Sequence, residues 1–400
     1  MTTLRPLAAD GVPGSASDRE LVVACSSWGD GCRRGMFMPS DRLLQTVLSD
    51  DRFSRVLVAN PFRSAPVLLA RRLAGQGEPR LPDGPGGRRQ VTPVRLRRHD
   101  PVSLPSIKDA YARYDRALRK AARSLGMSRP AIVCGNPFMA AFSPLEWASS
   151  VVFYAWDDWA SYPPHEAWWP AYEAAYETIR SSGRPVVAVS QVLLDRVGGT
   201  GPQVLIPNGL APYEWERPGS PPGWFAELPG PRLLYIGTLD DRLDLDVVRR
   251  LAASYPDGTL VLVGTEKEDA LNPVRGVPNV HIHPPVARDE VAAIVHGADV
   301  CIMPHRRTPL TEAMSPLKLY EYVAGGRPVV ATDLPPARGV AAGMTLVDDS
   351  GDFVAAVRSA LERGPMTEAD RRRFVMNNSW SSRFEVLFEL LWRTAPDGKP

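Results

Sequence analysis

The segment from Asp299 to Pro335 constrains the fold more than any other part of the sequence. The apolar run Asp299–Met303 is followed directly by a proline, which predicts a short buried strand. After a polar loop, Ser315-Pro316 predicts a helix start, with the serine as N-cap and the proline at the first helical position. Gly325-Gly326 predicts the helix end, and Arg327–Ala331 predicts the next strand. The segment is therefore a strand–loop–helix–strand unit.

The start of this predicted helix is a candidate phosphate site. A helix that begins beyond the carboxyl end of a parallel strand directs free N–H groups and its positive dipole end into a crevice. Lys318 adds a positive charge in the first turn, and Glu321 follows within one turn, where its carboxylate can accept hydrogen bonds from hydroxyls. A diphosphate with an attached ribose fits this arrangement.

Short apolar runs alternate with amphipathic stretches along the whole chain, which predicts an α/β protein with parallel sheets. A chain of 400 residues also favours two domains over one. The segment from Gly75 to Pro105 is predicted to be the least structured insert. The predicted organisation is a flexible tail at 1–19, an N-terminal acceptor-binding Rossmann-like domain at 20–212, a linker at 213–230, a C-terminal nucleotide-sugar-binding Rossmann-like domain at 231–378, and a crossing helix with a tail at 379–400.

Several motifs occur in the order and spacing of one known family. Ser315–Tyr322, followed by Gly325–Thr332, resembles the donor-binding helix of the "group 1" retaining glycosyltransferases, which are family 4-like. Asn208 resembles their hinge signature, Tyr235–Arg242 their first C-terminal loop, and Ser379–Phe384 their closing helix. The resemblance implies the GT-B fold, in which two Rossmann-like domains face each other across a cleft and the last helix crosses back to the N-terminal domain.

The resemblance also implies an activity. The chain is identified as an enzyme that moves a sugar from a nucleotide diphosphate sugar, held by the C-terminal domain, to a hydroxyl acceptor held by the N-terminal domain. The family implies retention of anomeric configuration, and no cofactor is expected. The alternatives are a catalytically weak GT-B partner protein, a nucleotide-sugar epimerase and a phosphorylase-like use of the same fold.

The C-terminal half supplies the predicted donor site. Arg242 follows an apolar strand, where its guanidinium could clamp phosphate oxygens, or it could form a surface pair with Asp240 or Asp241. By resemblance Glu321 binds the donor ribose. Many relatives carry a second glutamate at the position of Ala313, and the nearest acid here, Glu312, is one residue out of register. The donor-binding residues are predicted to be Gly237, Gly264, Thr265, Ser315, Pro316, Leu317 and Glu321, with Lys318 and Arg242 stabilising the departing diphosphate.

The N-terminal half offers fewer candidates for the cleft. Gly29 and Gly31 follow the first strand and predict a backbone loop beside the diphosphate or the acceptor. Asp157 and Asp158 end an apolar strand, so either could bind an acceptor hydroxyl or cap the following turn. We assign Asp158 to the catalytic set and Asp157 to the cleft. His165 is a candidate contact for the transferred sugar or a structural histidine.

Composition restricts cofactors and location. The four cysteines are scattered, and no cluster has metal-ligand spacing, so neither a disulfide framework nor a metal site is expected. The sequence contains no signal peptide or membrane-spanning run, which predicts a cytoplasmic protein. Residues 1–212 carry 26 Lys/Arg against 19 Asp/Glu, and Arg71–Arg129 carries 15 against 5. This basic region is either a solvated face or a contact for the inner face of an anionic membrane or a phosphorylated acceptor, whereas nucleic acid is not expected because aromatics do not interleave with the charges.

Overall fold

The computed structural model describes residues 19–75, 79–84, 86–97, 100–267, 269–348 and 351–393. Within them, two parallel sheets flanked by helices form two domains, as predicted. The predicted tail at 1–19 lies outside the described residues except for Arg19, which begins the first strand. None of the described helices combines the length and the apolar character that a membrane span requires.

The N-terminal domain is built on a seven-stranded parallel sheet. Its elements in chain order are β1 Arg19–Ala24, α1 Trp28–Arg34, α2 Pro39–Leu48, β2 Phe53–Ala59, β3 Arg63–Ser64, α3 Ala65–Leu73, β4 Arg88–Val91, β5 Val94–Arg95, α4 Leu104–Ser124, β6 Ala131–Cys134, α5 Pro137–Phe142, β7 Ser150–Ala155, α6 Trp169–Ser181, β8 Val186–Ala188, α7 Gln191–Val197 and β9 Gln203–Leu205. The strand order is β4-β2-β1-β6-β7-β8-β9, while β3 and β5 form a separate short pair. A 3-10 helix, Pro163–Trp168, precedes α6.

The C-terminal domain is built on a six-stranded parallel sheet. Its elements are α8 Pro212–Trp215, α9 Gly223–Ala226, β10 Arg232–Ile236, α10 Leu245–Ser254, β11 Thr259–Val263, β12 Val280–His283, α11 Arg288–Gly297, β13 Val300–Met303, α12 Pro309–Ala313, α13 Leu317–Ala324, β14 Val329–Thr332, β15 Thr345–Val347, α14 Phe353–Arg363, α15 Glu368–Asn377 and α16 Trp380–Arg393. The strand order is β12-β11-β10-β13-β14-β15. Short 3-10 helices span Asn272–Val274 and Pro335–Ala337.

Central strands form where the sequence has continuous apolar runs, because helices cover both faces of each sheet. Leu21, Val22 and Val23 of β1 are fully buried, as are Val261 and Leu262 of β11. The segment Gly75–Pro105, predicted to be the least structured insert, contains the strand β4, which pairs in parallel with β2. This strand lies at the sheet edge, so its sequence Arg-Arg-Gln-Val carries no apolar run.

The chain crosses between the domains twice, and the two crossings lie side by side. The Leu210 N–H donates to Asn378 O at 2.8 Å, and the Trp380 N–H donates to Leu210 O at 2.8 Å. Helix α16 then packs on the N-terminal domain, where Phe388 meets Phe53 with ring centroids 5.1 Å apart. The crossing helix implied by the resemblance is therefore confirmed. The predicted linker, 213–230, carries part of α8 and all of α9, and its Phe225 is in the core of the C-terminal domain.

Candidate functional site

The helix that carries Lys318 and Glu321 begins one residue later than predicted. Its first residue is Leu317 and its N-cap is Pro316, with no side-chain cap bond, so the prediction of Ser315 as N-cap is wrong. Ser315 is buried, and its hydroxyl instead accepts a hydrogen bond from the Asn208 N–H at 3.2 Å. The Asn208 amide donates to Ser315 O at 2.6 Å. The hinge asparagine therefore fixes the loop that precedes the helix.

The N-terminal domain makes two further contacts with this loop. The Ser190 hydroxyl, at the start of α7, donates to Ala313 O, and Leu317 packs against the N-terminal core. The Ala313 side chain is buried. Glu312 lies 3.2 Å from the Arg307 guanidinium and forms an ion pair with it.

Lys318 lies in a compact cluster at the carboxyl edge of the C-terminal sheet. Its Nζ donates to the Tyr235 hydroxyl at 2.5 Å, lies 3.9 Å from the centroid of that ring and is 3.3 Å from His305 Nε2. Gly237 makes this approach possible, because a Cβ at that position would lie 2.9 Å from the Lys318 Nζ. Gly237 also has a φ of 146°, a conformation that residues with side chains rarely adopt.

The protonated forms of two bases in this cluster are disfavoured. Burial and the nearby Arg242 guanidinium hold the pKa of Lys318 well below its usual range. Burial, Lys318 and Arg242 likewise hold the pKa of His305 well below its usual range. A bound anion would stabilise the protonated form of Lys318, since an opposite charge nearby favours the charged form.

Arg242 is part of the same site but is already paired. Its guanidinium makes a two-pronged contact with Asp240, with Nε 2.9 Å from Oδ1 and Nη2 2.7 Å from Oδ2. Burial works against the charge of Arg242, and the hydrogen bonds with Asp240 outweigh it, so its pKa is raised. The predicted pair with Asp240 is therefore present, and the Arg242 charge also acts on Lys318. The predicted role of Arg242 as a phosphate clamp stays a prediction.

The other predicted donor residues lie on adjacent strand ends. Gly264 has a φ of 150°, and a Cβ there would lie 1.7 Å from Gly237 O, so two glycine backbones are in direct contact. Thr265 is exposed, and its carbonyl accepts from the Leu239 N–H at 2.9 Å. The His283 ring stacks on Trp224 with centroids 3.6 Å apart. Gly264 thus lies against Gly237, which in turn approaches Lys318.

Glu321 is held by an arginine that sequence reasoning missed. Its carboxylate accepts from Arg288, whose guanidinium also reaches Glu214 Oε2 at 2.7 Å. Glu214 in turn pairs with the buried Arg42 of the N-terminal domain. The four side chains come from α2, α8, α11 and α13, and the 33-residue separation of Arg288 and Glu321 left no local signal in the sequence.

The two aspartates after β7 have different roles. Asp158 is fully buried, and its carboxylate pairs with Arg196 and accepts from Ser161 at 2.5 Å and Tyr176 at 3.3 Å. These bonds commit the Asp158 oxygens to the N-terminal core and argue against the predicted catalytic role of Asp158. Asp157 is half-buried at the cleft edge, and burial raises its pKa to about 6, with the Asp158 charge adding to the rise and Arg242 opposing it.

The glycines after β1 are in a helix rather than a loop. Gly29 and Gly31 are buried in α1, whose N-cap Ser27 accepts from the Asp30 N–H. A Cβ on Gly31 would lie 3.2 Å from Asp41 Oδ1. The prediction of a backbone loop is therefore wrong, and Gly31 serves the packing of α1 against α2. The helix end at Gly35 faces Arg288 across the cleft, with a built Cβ 4.0 Å from the Arg288 Cβ.

His165 lies among aromatic side chains. Its ring stacks on Trp159 with centroids 5.2 Å apart and also lies 5.8 Å from Tyr172. Burial lowers the pKa of His165, although the nearby Asp100 opposes the change. The residue borders a cavity of the N-terminal domain whose aromatic lining the sequence did not reveal.

Comparisons with known proteins identify the class. Residues 230–363 match the family model described as "Glycosyl transferases group 1". The chain is 29% identical over 164 residues to "Putative teichuronic acid biosynthesis glycosyltransferase TuaH" of Bacillus subtilis (strain 168), a match that covers 39% of this chain and 41% of that protein. The matched part is thus about two fifths of that relative's length.

Solved structures share the fold over nearly the whole chain. Anabaena Alr3699/HepE, in complex with UDP and glucose, aligns with a TM-score of 0.59 at 13% identity, covering 93% of this chain and 99% of that one. The α,α-trehalose-phosphate synthase of Burkholderia xenovorans, in complex with glucose-6-phosphate, aligns with a TM-score of 0.64 at 14% identity, covering 93% and 99%. These structures and this chain share the two-domain GT-B fold. Residues 230–363 resemble the group 1 glycosyltransferases.

Proposed function

We propose that the protein transfers a sugar from a nucleotide diphosphate sugar to an acceptor hydroxyl, with retention of configuration and without a metal. The observation that carries this proposal is the meeting of Lys318 and Arg242 at the start of α13, beside the glycine backbones of Gly237 and Gly264. Two cations and free helix N–H groups match the charge and shape of a diphosphate. The bound UDP of the Anabaena relative supports a nucleotide donor.

The chemistry needs no protein base. In a front-face reaction the bond from the anomeric carbon to the diphosphate breaks on the same side on which the acceptor oxygen attaches. The leaving phosphate oxygen takes the acceptor proton. Lys318, Arg242 and the α13 N–H groups would stabilise the charge that develops on the diphosphate, which is the usual form of electrostatic catalysis.

The direct test is a panel of nucleotide sugars with purified protein. Release of the nucleoside diphosphate from one donor, increased by a hydroxyl acceptor, is the expected result. A protein that releases none with any donor would instead fit a catalytically weak partner. Interconversion of the donor sugar without transfer would fit an epimerase.

Asp157 is expected to bind the acceptor hydroxyl in its ionised form. Because burial raises its pKa to about 6, the carboxylate gains a proton as the pH falls below that value and can no longer accept. We therefore expect kcat/KM for the acceptor to fall roughly tenfold per pH unit well below pH 6. The Asp157→Asn variant should show low activity without this pH limb, whereas Asp195→Asn, an exposed change on the same domain, should keep it. An unchanged acid limb in Asp157→Asn would assign the titration to another group.

We also propose that the basic face of the N-terminal domain meets an anionic membrane surface. Helix α4 buries Tyr114 and Leu118 and exposes Arg116, Arg119 and Arg123 on the opposite side. The adjacent segment exposes apolar groups, with Leu96 88% exposed. Cations beside exposed apolar side chains suit the interfacial region of a bilayer.

Charge reversal tests this surface. Changing Arg116, Arg119 and Arg123 to glutamate should remove binding to anionic liposomes at low salt, because each cation near such a surface contributes about 1 kcal/mol and salt screens the attraction. Donor affinity should be preserved. Reversal of Arg249, Arg250 and Arg358, which are exposed on the other domain, is the matched control. If the wild-type protein does not bind anionic liposomes at low salt, the basic face of the N-terminal domain is only a solvated surface.

A further inference from the structure

A cavity of about 230 Å³ opens at the carboxyl edge of the N-terminal sheet. It is bordered by residues at or just beyond the ends of β1, β2, β6 and β7, which is where ligands bind in open parallel sheets. Its volume is enough for a six-membered ring, since an apolar cavity of about 150 Å³ binds benzene. Its lining is rich in aromatic side chains, which include Phe62, Tyr111, Phe138, Trp156, Trp159 and Trp168.

The cavity walls are flat aromatic faces held in fixed positions. Phe138 and Tyr172 stack with centroids 4.3 Å apart and planes 4° from parallel. Trp168 closes one side, because its indole N–H donates to Pro101 O at 3.0 Å. Walls of this kind offer broad apolar contact at little cost in side-chain freedom, since each ring is already ordered by its neighbours.

Two buried ring nitrogens on the lining have no hydrogen-bond partner among the described residues. They are Trp159 Nε1 and His165 Nδ1, on two rings that stack on each other. A buried polar group without a partner is costly. Both nitrogens have almost no accessible surface, so they face packed side chains and leave the cavity itself as a mainly apolar enclosure.

The charges around the cavity disfavour an anionic ligand. Within the described part of the chain, no lysine or arginine borders it, and the acid that does, Asp100, pairs with Arg95 at 2.7 Å. A phosphate placed in this cavity would meet aromatic faces and a carboxylate. Transfer of such a charge from water without a paired cation is strongly unfavourable.

The cavity lies next to a residue that is influenced by the donor domain. Trp156, on its wall, immediately precedes Asp157, whose carboxyl is close enough to the other domain for the Arg242 charge to act on it. The cavity is therefore at the end of the N-terminal sheet that approaches the predicted donor site.

We infer that this cavity holds the acceptor's hydroxyl-bearing ring and that this ring is uncharged, with its flat face against the indoles. The inference rests on the proposed transferase function and adds the chemical class of the acceptor. A phenolic ring and a neutral pyranose share this chemistry, because both present an apolar face and hydroxyl groups at the edge. A sugar phosphate does not fit.

Gly135 provides a sharp way to disturb the cavity. A Cβ at this position would lie 1.5 Å from Trp156 Cζ3, so Gly135→Ala must displace the indole. Gly219→Ala is the matched control, since no atom lies within 4 Å of a Cβ built there. Trp156→Ala removes the indole directly, and it serves as the test of ligand binding in the cavity if Gly135→Ala does not fold.

The experiment measures binding by saturation-transfer NMR with 4-methylumbelliferone, methyl β-glucopyranoside and glucose 6-phosphate. At least one uncharged ring should bind, and glucose 6-phosphate should bind at least about tenfold more weakly. Gly135→Ala or Trp156→Ala should weaken the preferred ring by at least about tenfold, while Gly219→Ala leaves it unchanged. Preference for the phosphate, no binding of either uncharged ring, or full binding by the folded variants would overturn the inference.

A parallel titration with UDP, ADP and GDP separates the two proposals. If a nucleoside diphosphate binds but neither uncharged ring does, the acceptor inference fails and the transferase proposal stands. If a ring binds and no nucleotide does, the transferase proposal fails.

Discussion

Replacing Lys318 by methionine is expected to lower turnover by about 10²-fold or more, because the ammonium is the charge closest to the start of α13 that can stabilise the departing diphosphate. Removal of one such group from a preformed anion site costs about 10²–10³ in kcat. Methionine keeps the length of the side chain, so contacts with the Tyr235 ring are retained in part. Arg242→Ala should have a comparable effect through the same charge cluster.

The control for this pair is Arg249→Met, which removes an exposed cation from the same domain. Its turnover should match wild type. EDTA should leave wild-type turnover unchanged, because the two cations take the place of a metal in the proposed mechanism. Loss of activity in EDTA with recovery on adding Mg²⁺ or Mn²⁺ would show that the metal-free mechanism is wrong, whatever the two substitutions do.

Glu321→Gln is expected to weaken donor binding by about 1.5–3 kcal/mol, or roughly 10- to 150-fold in Kd, since a charged hydrogen bond to the ribose becomes a neutral one. The fold should survive, because Arg288 keeps its contact with Glu214 at 2.7 Å. Calorimetric titration with the preferred nucleoside diphosphate measures the change. Glu312→Gln is the matched control, as this nearby acid pairs with Arg307 outside the cluster.

An unchanged Kd in Glu321→Gln would remove the ribose assignment. It would leave Glu321 with a structural role only, as the partner of Arg288 at the domain boundary. A lower unfolding temperature together with an unchanged Kd would identify that role.

The sequence predicted the central strands well because burial on both faces demands continuous apolar runs. The strands predicted at Asp299–Met303 and Arg327–Ala331 are observed as Val300–Met303 and Val329–Thr332. The edge strand β4 was not predicted, because an edge strand is less buried and requires fewer apolar residues, and because its arginines suggested a loop. Local patterns therefore identified the buried central strands and missed the strand that pairs at the edge of the sheet.

The sequence predicted candidate site residues where a local pattern marks the end of a strand or the start of a helix. Lys318, Glu321 and the two glycines Gly237 and Gly264 lie at strand ends and at a helix start that local patterns reveal. Ser315 was assigned the wrong bond because its partner, Asn208, is 107 residues away. Long-range partners of this kind leave no periodic signal.

The same limit explains Asp158 and the aromatic cavity. The partners of the Asp158 carboxylate are three residues on α6, α7 and the loop after β7. Because these residues are distant in sequence or carry no local pattern, the Asp157-Asp158 pair alone did not indicate that Asp158 is buried. The cavity is assembled from the ends of four strands, from α4, α5 and α6 and from the 3-10 helix, which meet only in the folded domain.

The most direct measurement is calorimetric binding of uridine, UMP and UDP, with the matching adenine and guanine series, to wild type in the presence of EDTA. For the preferred base, the nucleoside diphosphate should bind far more tightly than the monophosphate, and Lys318→Met should remove most of that difference. Equal affinity for monophosphate and diphosphate, or diphosphate binding that appears only with added metal, would contradict a diphosphate site built from Lys318, Arg242 and the start of α13.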